Sequence, residues 1–331
     1  MTRAGRPTVS VVIPTRNRLP LLREAIDSVE RQSFPDWEAV VVDDASDDET
    51  SSWLEHLNDR RIRPIRLDRH SERSVVRNRG LQEAQGDFVL FLDDDDRLTS
   101  AALARLCGAL GRRPDAIAAV GANVRFDPTG RRERAPHPRF GFTRMIWRDV
   151  LAGWDSGSGQ ALFRADRVRE VGGWNEELSY WELGDLWFRV SRLGPVVFVP
   201  ATVLELRLHP GQAPPGPGTR DPRPDLVRLL PARERGRAKR LVAARQLVHD
   251  GDDARFLHQH RRAVGCYLRA VRMAPLLLRS PLTRPDLVAN MAREMARLLV
   301  EWMGGGRAWL AGALGRARSE PRGRAGRRRC P

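Results

Sequence analysis

The chain has 331 residues, a formal net charge of +15, 41% hydrophobic residues and 30% charged residues. These proportions are those of a globular protein and argue against a disordered chain, and the length suits one large domain followed by a smaller one. The basic excess is almost entirely arginine, because Lys239 is the only lysine. It is also uneven: Arg316 to Arg329 is densely basic while the first half holds most of the acidic runs, so charge alone does not make a nucleic-acid-binding protein.

Val9 to Ile13 is a continuous apolar, β-branched run closed by Pro14, the pattern of a strand buried on both faces. Leu21, Leu22, Ala25, Ile26 and Val29 then recur at helical spacing, and Trp37 to Val42 is a second buried strand. Asp47 is placed to cap a helix over Thr50 to Leu57; Ile62 to Leu67 reads as a short strand; and Ser74 is placed to cap a helix that Gly86 stops. Phe88 to Leu92 is the next buried strand. Strand and helix alternate, so the expected class is α/β: an open, mostly parallel sheet flanked by helices.

Beyond Ala101 the pattern changes. Val120 to Phe126 with the turn Asp127–Gly130 reads as one arm of a hairpin, Thr143 to Leu151 as a helix, Ala161 to Arg164 as a strand, Leu186 to Leu193 as a helix and Val196 to Val199 as a strand. Ala213 to Pro224 is rich in Pro and Gly and reads as a linker; Leu226 to Leu314 is mostly helical and arginine-rich. The expected division is a domain over 1–212, a linker over 213–224, a helical accessory region over 225–315 and a basic tail over 316–331.

Cys107, Cys266 and Cys330 are scattered without metal-ligand spacing, which argues against a disulfide framework and for a reducing, cytoplasmic setting. The polar stretch Met1 to Pro7 runs straight into a strand pattern, unlike a signal peptide. The most apolar late stretch, Leu298 to Leu314, is interrupted by Glu301, Arg307 and Gly304 to Gly306, too broken to span a bilayer. The basic end reads as a solvated tail, with peripheral contact to an anionic membrane as the alternative.

The chemistry concentrates where strands end. Thr15, Arg16 and Asn17 follow the first strand, Asp43 and Asp44 the second, and Asp93 to Asp96 the strand at Phe88 to Leu92. Loops at the carboxyl ends of parallel strands share one edge of the sheet, where ligands bind. Four adjacent carboxylates repel one another unless solvated or joined by a cation, and their hard oxygens suit Mg²⁺ or Mn²⁺ carrying a substrate diphosphate. A solvated acidic turn is the bland alternative.

These segments, taken in order, resemble glycosyltransferase family 2, whose fold is called GT-A. Val9–Arg18 resembles its first strand and nucleotide loop, and Trp37–Asp48 its second. Arg77–Gly80 with Gly86–Asp96 resembles its DXD segment, and Gly172–Leu178 the turn before its catalytic acidic motif; together they cover roughly Thr8 to Gln212. The resemblance implies transfer of a sugar from a nucleotide diphosphate-sugar to a sugar, lipid-carrier or other hydroxyl acceptor, by inversion and with Mg²⁺ or Mn²⁺. It implies that Pro14, Thr15, Arg16, Asn17 and Asp44 meet the nucleotide, that Arg77, Asp93 and Asp94 meet the nucleotide-sugar, and that Asp95 and His209 hold the metal. The sequence departs from the family at the acidic motif Trp181-Glu182-Leu183-Gly184-Asp185: Leu183 stands where the family carries its base. Either Glu182 or Asp185 then takes the proton, Glu182 being the closer match, or the protein binds nucleotide-sugar without turnover. Gly- and Ser-rich Trp154 to Gln160 falls on the acceptor side, and Trp147, Trp154, Trp174 and Trp181 offer either sugar-stacking faces or core. A nucleotidyltransferase would carry a lysine-bearing triphosphate loop near the N-terminus, which is missing.

Overall fold

A computed structural model describes residues 6–130, 132–134, 142–154, 156–208, 221–279 and 287–299. In chain order the first elements are β1 (Val9–Thr15), α1 (Leu19–Glu30), β2 (Trp37–Asp43), α2 (Thr50–Glu55), β3 (Ile62–Arg66), α3 (Arg73–Glu83), β4 (Phe88–Phe91), β5 (Arg97–Leu98) and α4 (Ala102–Arg112). They continue as β6 (Ala118–Phe126), β7 (Arg132–Arg134), β8 (Phe142–Arg144), α5 (Trp147–Leu151), β9 (Ala161–Arg164), α6 (Ala165–Glu170), α7 (Glu182–Val190) and β10 (Val196–Arg207). Helices α8 (Arg223–Leu226), α9 (Ala232–Phe256), α10 (His260–Met273) and α11 (Leu276–Arg279) follow, with residues 287–299 also helical.

The strands form one open sheet in the order β3-β2-β1-β4-β9-β6-β10-β5, with β7 on β6 and β8 on β10. The long ladders β3–β2, β2–β1, β1–β4 and β6–β10 are parallel. The antiparallel ladders span at most three residue pairs each. Alternate residues of the apolar runs serve opposite faces. Val12, Val40, Val42 and Phe91 enter a core with α3, α6 and α7, whereas Val11, Ile13, Val41 and Leu90 enter a second core with α1 and α4. Two covered faces explain why these strands read as unbroken apolar runs. The expected α/β class, an open sheet flanked by helices with a helical C-terminal region, is the observed one.

Several boundaries differ from those expected. Asp48, not Asp47, accepts from the N–H of Thr50 (2.9 Å), while the Asp47 N–H donates to Asn17 Oδ1 (2.9 Å). Ser74 lies inside the first turn of α3 rather than at its cap. Only the end of the expected Thr143–Leu151 helix is helical. Residues 142–144 instead pair with β10, because β10 runs on to Arg207 and its start needs an edge partner, and the Phe142 ring stacks on Phe198 (4.4 Å between centroids). Helix α7 begins early, at Glu182, after Trp181 adopts a left-handed φ of 59°. That bend lays the indole against the helix: a Cβ at Gly184 would sit 2.1 Å from the ring, so only glycine fits there.

Most of the expected linker and the whole basic tail lie outside the described residues, but α8 begins at Arg223 within the former. Leu226, Val227, Leu230, Ala238 and Val242 share the core with β4, β9 and α7, so the start of the accessory region packs as part of the sheet domain. Further along, α9, α10 and residues 287–299 enclose a separate core around Val248, Ala263, Tyr267 and Leu287. No helix among the described residues is long and apolar enough to cross a membrane.

Helix α3 lies close on β1 at Gly80, where an added Cβ would come 2.3 Å from Val12 Cγ1. Val12 is fully buried and stiff at its branched Cβ. Overpacking costs about 1–3 kcal/mol, against a helix-propensity gain of about 1 kcal/mol for alanine. Gly80→Ala is therefore expected to lower the denaturant midpoint; an unchanged or raised midpoint would show that the helix moves away at no cost.

Candidate functional site

The carboxyl ends of β1, β2 and β4 open on a cleft of about 570 Å³ whose lining includes Pro14, Thr15, Arg16, Asp44, Arg77 and Asp93 to Asp96. Strand pairing places them there: Thr15 lies opposite Asp43 in the β1–β2 ladder, and Leu92 N–H bonds Val12 C=O, so the aspartates leave the sheet beside Thr15.

The four aspartates do not act as one group. Asp93, Asp95 and Asp96 each bring one oxygen within 4.8 Å of the others. Asp94 turns away, accepting from Thr15 Oγ1 (2.8 Å) and Arg18 Nη1 (3.2 Å); the same guanidinium nitrogen reaches Asp95 (3.0 Å). Asp96 accepts from the Arg207 N–H (2.8 Å), and Arg207 Nε donates to Asp95 C=O (3.0 Å). Burial pushes Asp94 up to about 6, opposed by Thr15 and Arg18 and reinforced by Asp95 and Asp93. Burial likewise pushes Asp96 up to about 8, with the charge of Asp93 adding to it and the Arg207 N–H opposing it.

Arg77 joins the two sides of the site. Its guanidinium lies over the Trp174 ring (4.6 Å), with Nη2 on Asp93 (2.8 Å) and Nη1 on Glu182 (3.4 Å). Asn78, one residue on, clasps the Gly-Gly-Trp turn from both sides, accepting from Trp174 N–H (2.8 Å) and donating to Trp174 C=O (2.9 Å). Gly172 and Gly173 take φ of 84° and 72°, conformations that favour glycine.

The other expected residues are distributed as follows. Asp44 is engaged on both oxygens, by His70 Nδ1 (2.6 Å) and the Ser71 N–H (2.8 Å). Asn17, at φ 52°, stands outside the cleft lining and ties the loop after β1 to the loop after β2 through Ser46 and Asp47. Asp185 is buried and bonded to Arg189, one turn along the same helix (2.8 Å to Nε). Leu183 packs against the core. His209 lies outside the described residues. Trp147 and Trp174 are core residues, Trp154 packs edge-on against Trp187, and the partly buried Trp181 carries Arg223 over its ring (5.6 Å). Gly157 and Ser158 of the Gly/Ser-rich segment line the cleft.

Sequence reasoning assigned no role to Arg18, His70, Ser71, Arg73 or Arg207. His70 and Ser71 follow β3, so the strand-end logic that singled out Asp44 would have reached them. Arg207 gave no local signal, because its partner Asp96 is 111 residues away.

A raised carboxyl pKa has a definite thermodynamic sign. Folded Asp96 holds a proton that the unfolded chain has released, so its contribution to stability is full at acid pH and is lost as pH rises through about 8. Without added cations, stability is expected to fall from about pH 5 to about pH 8, and Asp96→Asn, which keeps an acceptor for Arg207, should flatten that slope. Thermal melts across the range check this; parallel slopes for the two proteins would contradict it.

Three comparisons place this geometry among known proteins. Residues 10–170 match the model of Glycosyl transferase family 2. A GalNAc(5)-diNAcBac-PP-undecaprenol beta-1,3-glucosyltransferase of Campylobacter jejuni is 44% identical over 103 residues, covering 30% of this chain and 33% of that protein. The putative teichuronic acid biosynthesis glycosyltransferase TuaG of Bacillus subtilis is 40% identical over 94 residues, 28% of this chain and 37% of that one. The chain thus matches about a third of the length of these curated relatives. Among solved structures, S. aureus TarS 1-349 in complex with UDP-GlcNAc superposes with a TM-score of 0.61 at 17% identity, over 87% of this chain and 88% of that one. The fold is therefore that of the GT-A glycosyltransferases, and the domain built on residues 10–170, with its acidic cleft at the carboxyl edge of the sheet, belongs to glycosyl transferase family 2.

Proposed function

We propose that this domain transfers a glycosyl group from a nucleotide diphosphate-sugar to an acceptor hydroxyl, with inversion and with a divalent cation. The observation that carries the reading is the gathering of Asp93, Asp95 and Asp96 into one oxygen cluster in a cleft that also holds Thr15, Arg16, Asp44 and Arg73. Arg16 and Arg73 have no carboxylate partner among the described residues and are available to a diphosphate. TarS has been solved with UDP-GlcNAc and with UDP, and the Campylobacter relative is named for an undecaprenol-linked saccharide acceptor. Both support a nucleotide-sugar donor and a saccharide or lipid-linked acceptor here.

The acidic cluster fits a hard cation such as Mg²⁺ or Mn²⁺, because its oxygens are close enough to share one and burial already disfavours leaving them all charged and bare. Bound there, the cation supplies Lewis-acid neutralisation of the departing diphosphate. Asp94, bonded to Thr15 and Arg18, supports the loop under the nucleotide instead.

Glu182 is the proposed base. It reaches Arg77, which also holds Asp93, so it borders the donor side, while Asp185 is committed to Arg189 and Leu183 has no basic atom. The acceptor oxygen bonds to the anomeric carbon as the carbon–oxygen bond to the diphosphate breaks; the acceptor proton passes to Glu182, and the negative charge leaves with the nucleoside diphosphate. A second reading, nucleotide-sugar binding without transfer, is favoured by Leu183 and by the Arg77 pairing of Glu182.

A thermal-shift and turnover screen of nucleotide diphosphate-sugars, with and without Mn²⁺, tests both readings. Metal-dependent stabilisation by one donor is expected, and Asp95→Asn should remove it; no stabilisation by any donor would overturn both. Glu182→Gln should lower kcat by about 10²–10⁴-fold while donor binding persists. Asp185→Asn should lower thermal stability, and the remaining folded enzyme should keep its kcat. Donor binding by the wild type without transfer to any acceptor would establish the second reading.

A further inference from the structure

The helices at the C-terminal end of the described chain have two apolar sides. Residues 287–299 face inward through Leu287 and Glu294, both buried, with Met291 packed on the same core. Val288, Met295 and Leu299 are 42%, 56% and 56% exposed, and their i, i+7, i+11 spacing aligns them with Ala292 in one outward stripe. Helix α10 buries Ala263, Cys266, Tyr267 and Ala270, yet leaves Leu268 53% exposed. A packed helix needs one apolar stripe, so a second one in water calls for a partner.

The charges select the kind of partner. Arg261, Arg262, Arg269 and Arg272 on α10, with Arg293 and Arg297 on 287–299, are all exposed. The only acidic residue on either helix is Glu294, fully buried and held by His260 (2.6 Å) and Arg297 (2.8 Å). Among the described residues, the outward faces therefore present cations and apolar groups with no exposed carboxylate. Ordinary solvated helices intersperse both signs. A second copy of this chain would bring the same positive face against itself.

We infer that the outward faces of α10 and residues 287–299 dock this protein on an anionic lipid surface. The arginines meet the headgroups while Val288, Met295 and Leu299 enter the boundary of the acyl region, the chemistry of an interfacial amphipathic helix. The contact is independent of the proposed transfer reaction, since neither helix lines the acidic cleft.

The test is co-sedimentation of the full chain with vesicles of phosphatidylcholine alone or mixed with phosphatidylglycerol. Binding is expected to the mixed vesicles and not to the neutral ones, weakening as salt rises. The basic run Arg316 to Arg329 would bind anionic vesicles by charge alone, so the decisive protein is the double variant Met295→Glu, Leu299→Glu. It should partition about tenfold less or worse, with an unchanged melting curve. Equal partition of variant and wild type, or no binding of wild type to mixed vesicles, would overturn the inference. So would a concentration-dependent dimer in sedimentation equilibrium that the double variant abolishes, which would make this face a contact between copies.

Discussion

Four carboxylates crowded at one strand end are the constraint on which the site depends. Asp94 and Asp96 are buried, and burial raises both above the usual carboxylate range. The protein manages the repulsion by dividing the run: Thr15 and Arg18 draw Asp94 to one side, while the Arg207 backbone holds Asp96 on the other. Asp93, Asp95 and Asp96 then keep one oxygen each within 4.8 Å of the others. Arg18 opens α1, and Arg207 ends β10, so the acidic turn is braced by elements from opposite ends of the sheet domain.

The same logic links the acidic cleft to helix α7. Arg77, nearly enclosed, lies on Trp174 and bridges Asp93 to Glu182. Its orientation is set by neighbours that make no contact with the cleft: Asn78 secures the Trp174 backbone, and the two glycines before it let the chain turn back on α3. Trp181 then bends the chain so that α7 starts with Glu182 toward Arg77 and Asp185 toward Arg189. Two carboxylates three residues apart on one helix thus have different surroundings: Glu182 meets Arg77 of α3, and Asp185 pairs with Arg189 of its own helix.

The helical region after the sheet has two characters. Its start is part of the sheet domain's core, through Leu226, Leu230 and Val242. Its later helices close a core of their own and turn an apolar, arginine-rich face outward. A composition dominated by arginine therefore has a local meaning here that the net charge does not convey.

Much of the sheet was legible in the sequence, because strands covered on both faces must be continuously apolar and their polar ends must mark the ligand edge. The runs at Val9 and Trp37, the turn at Gly172 and the acidic segment at Asp93 all followed from local pattern, whereas the doubt over Leu183 came only from the family resemblance. The strand at 142–144 was not legible, since its partner β10 is distant in sequence, whereas the bond from Thr50 to Asp48 rather than Asp47 is a local choice between two adjacent aspartates. Helix α4 was also passed over, although its buried Leu103, Leu106 and Leu110 recur at helical spacing. The sequence by itself determined which residue types stand at the strand ends. Only the tertiary structure decided that Asp94 parts from its neighbours, that Asp185 is buried and that Arg77 joins Asp93 to Glu182. Those outcomes depend on side-chain direction and burial, which the packing of distant elements sets.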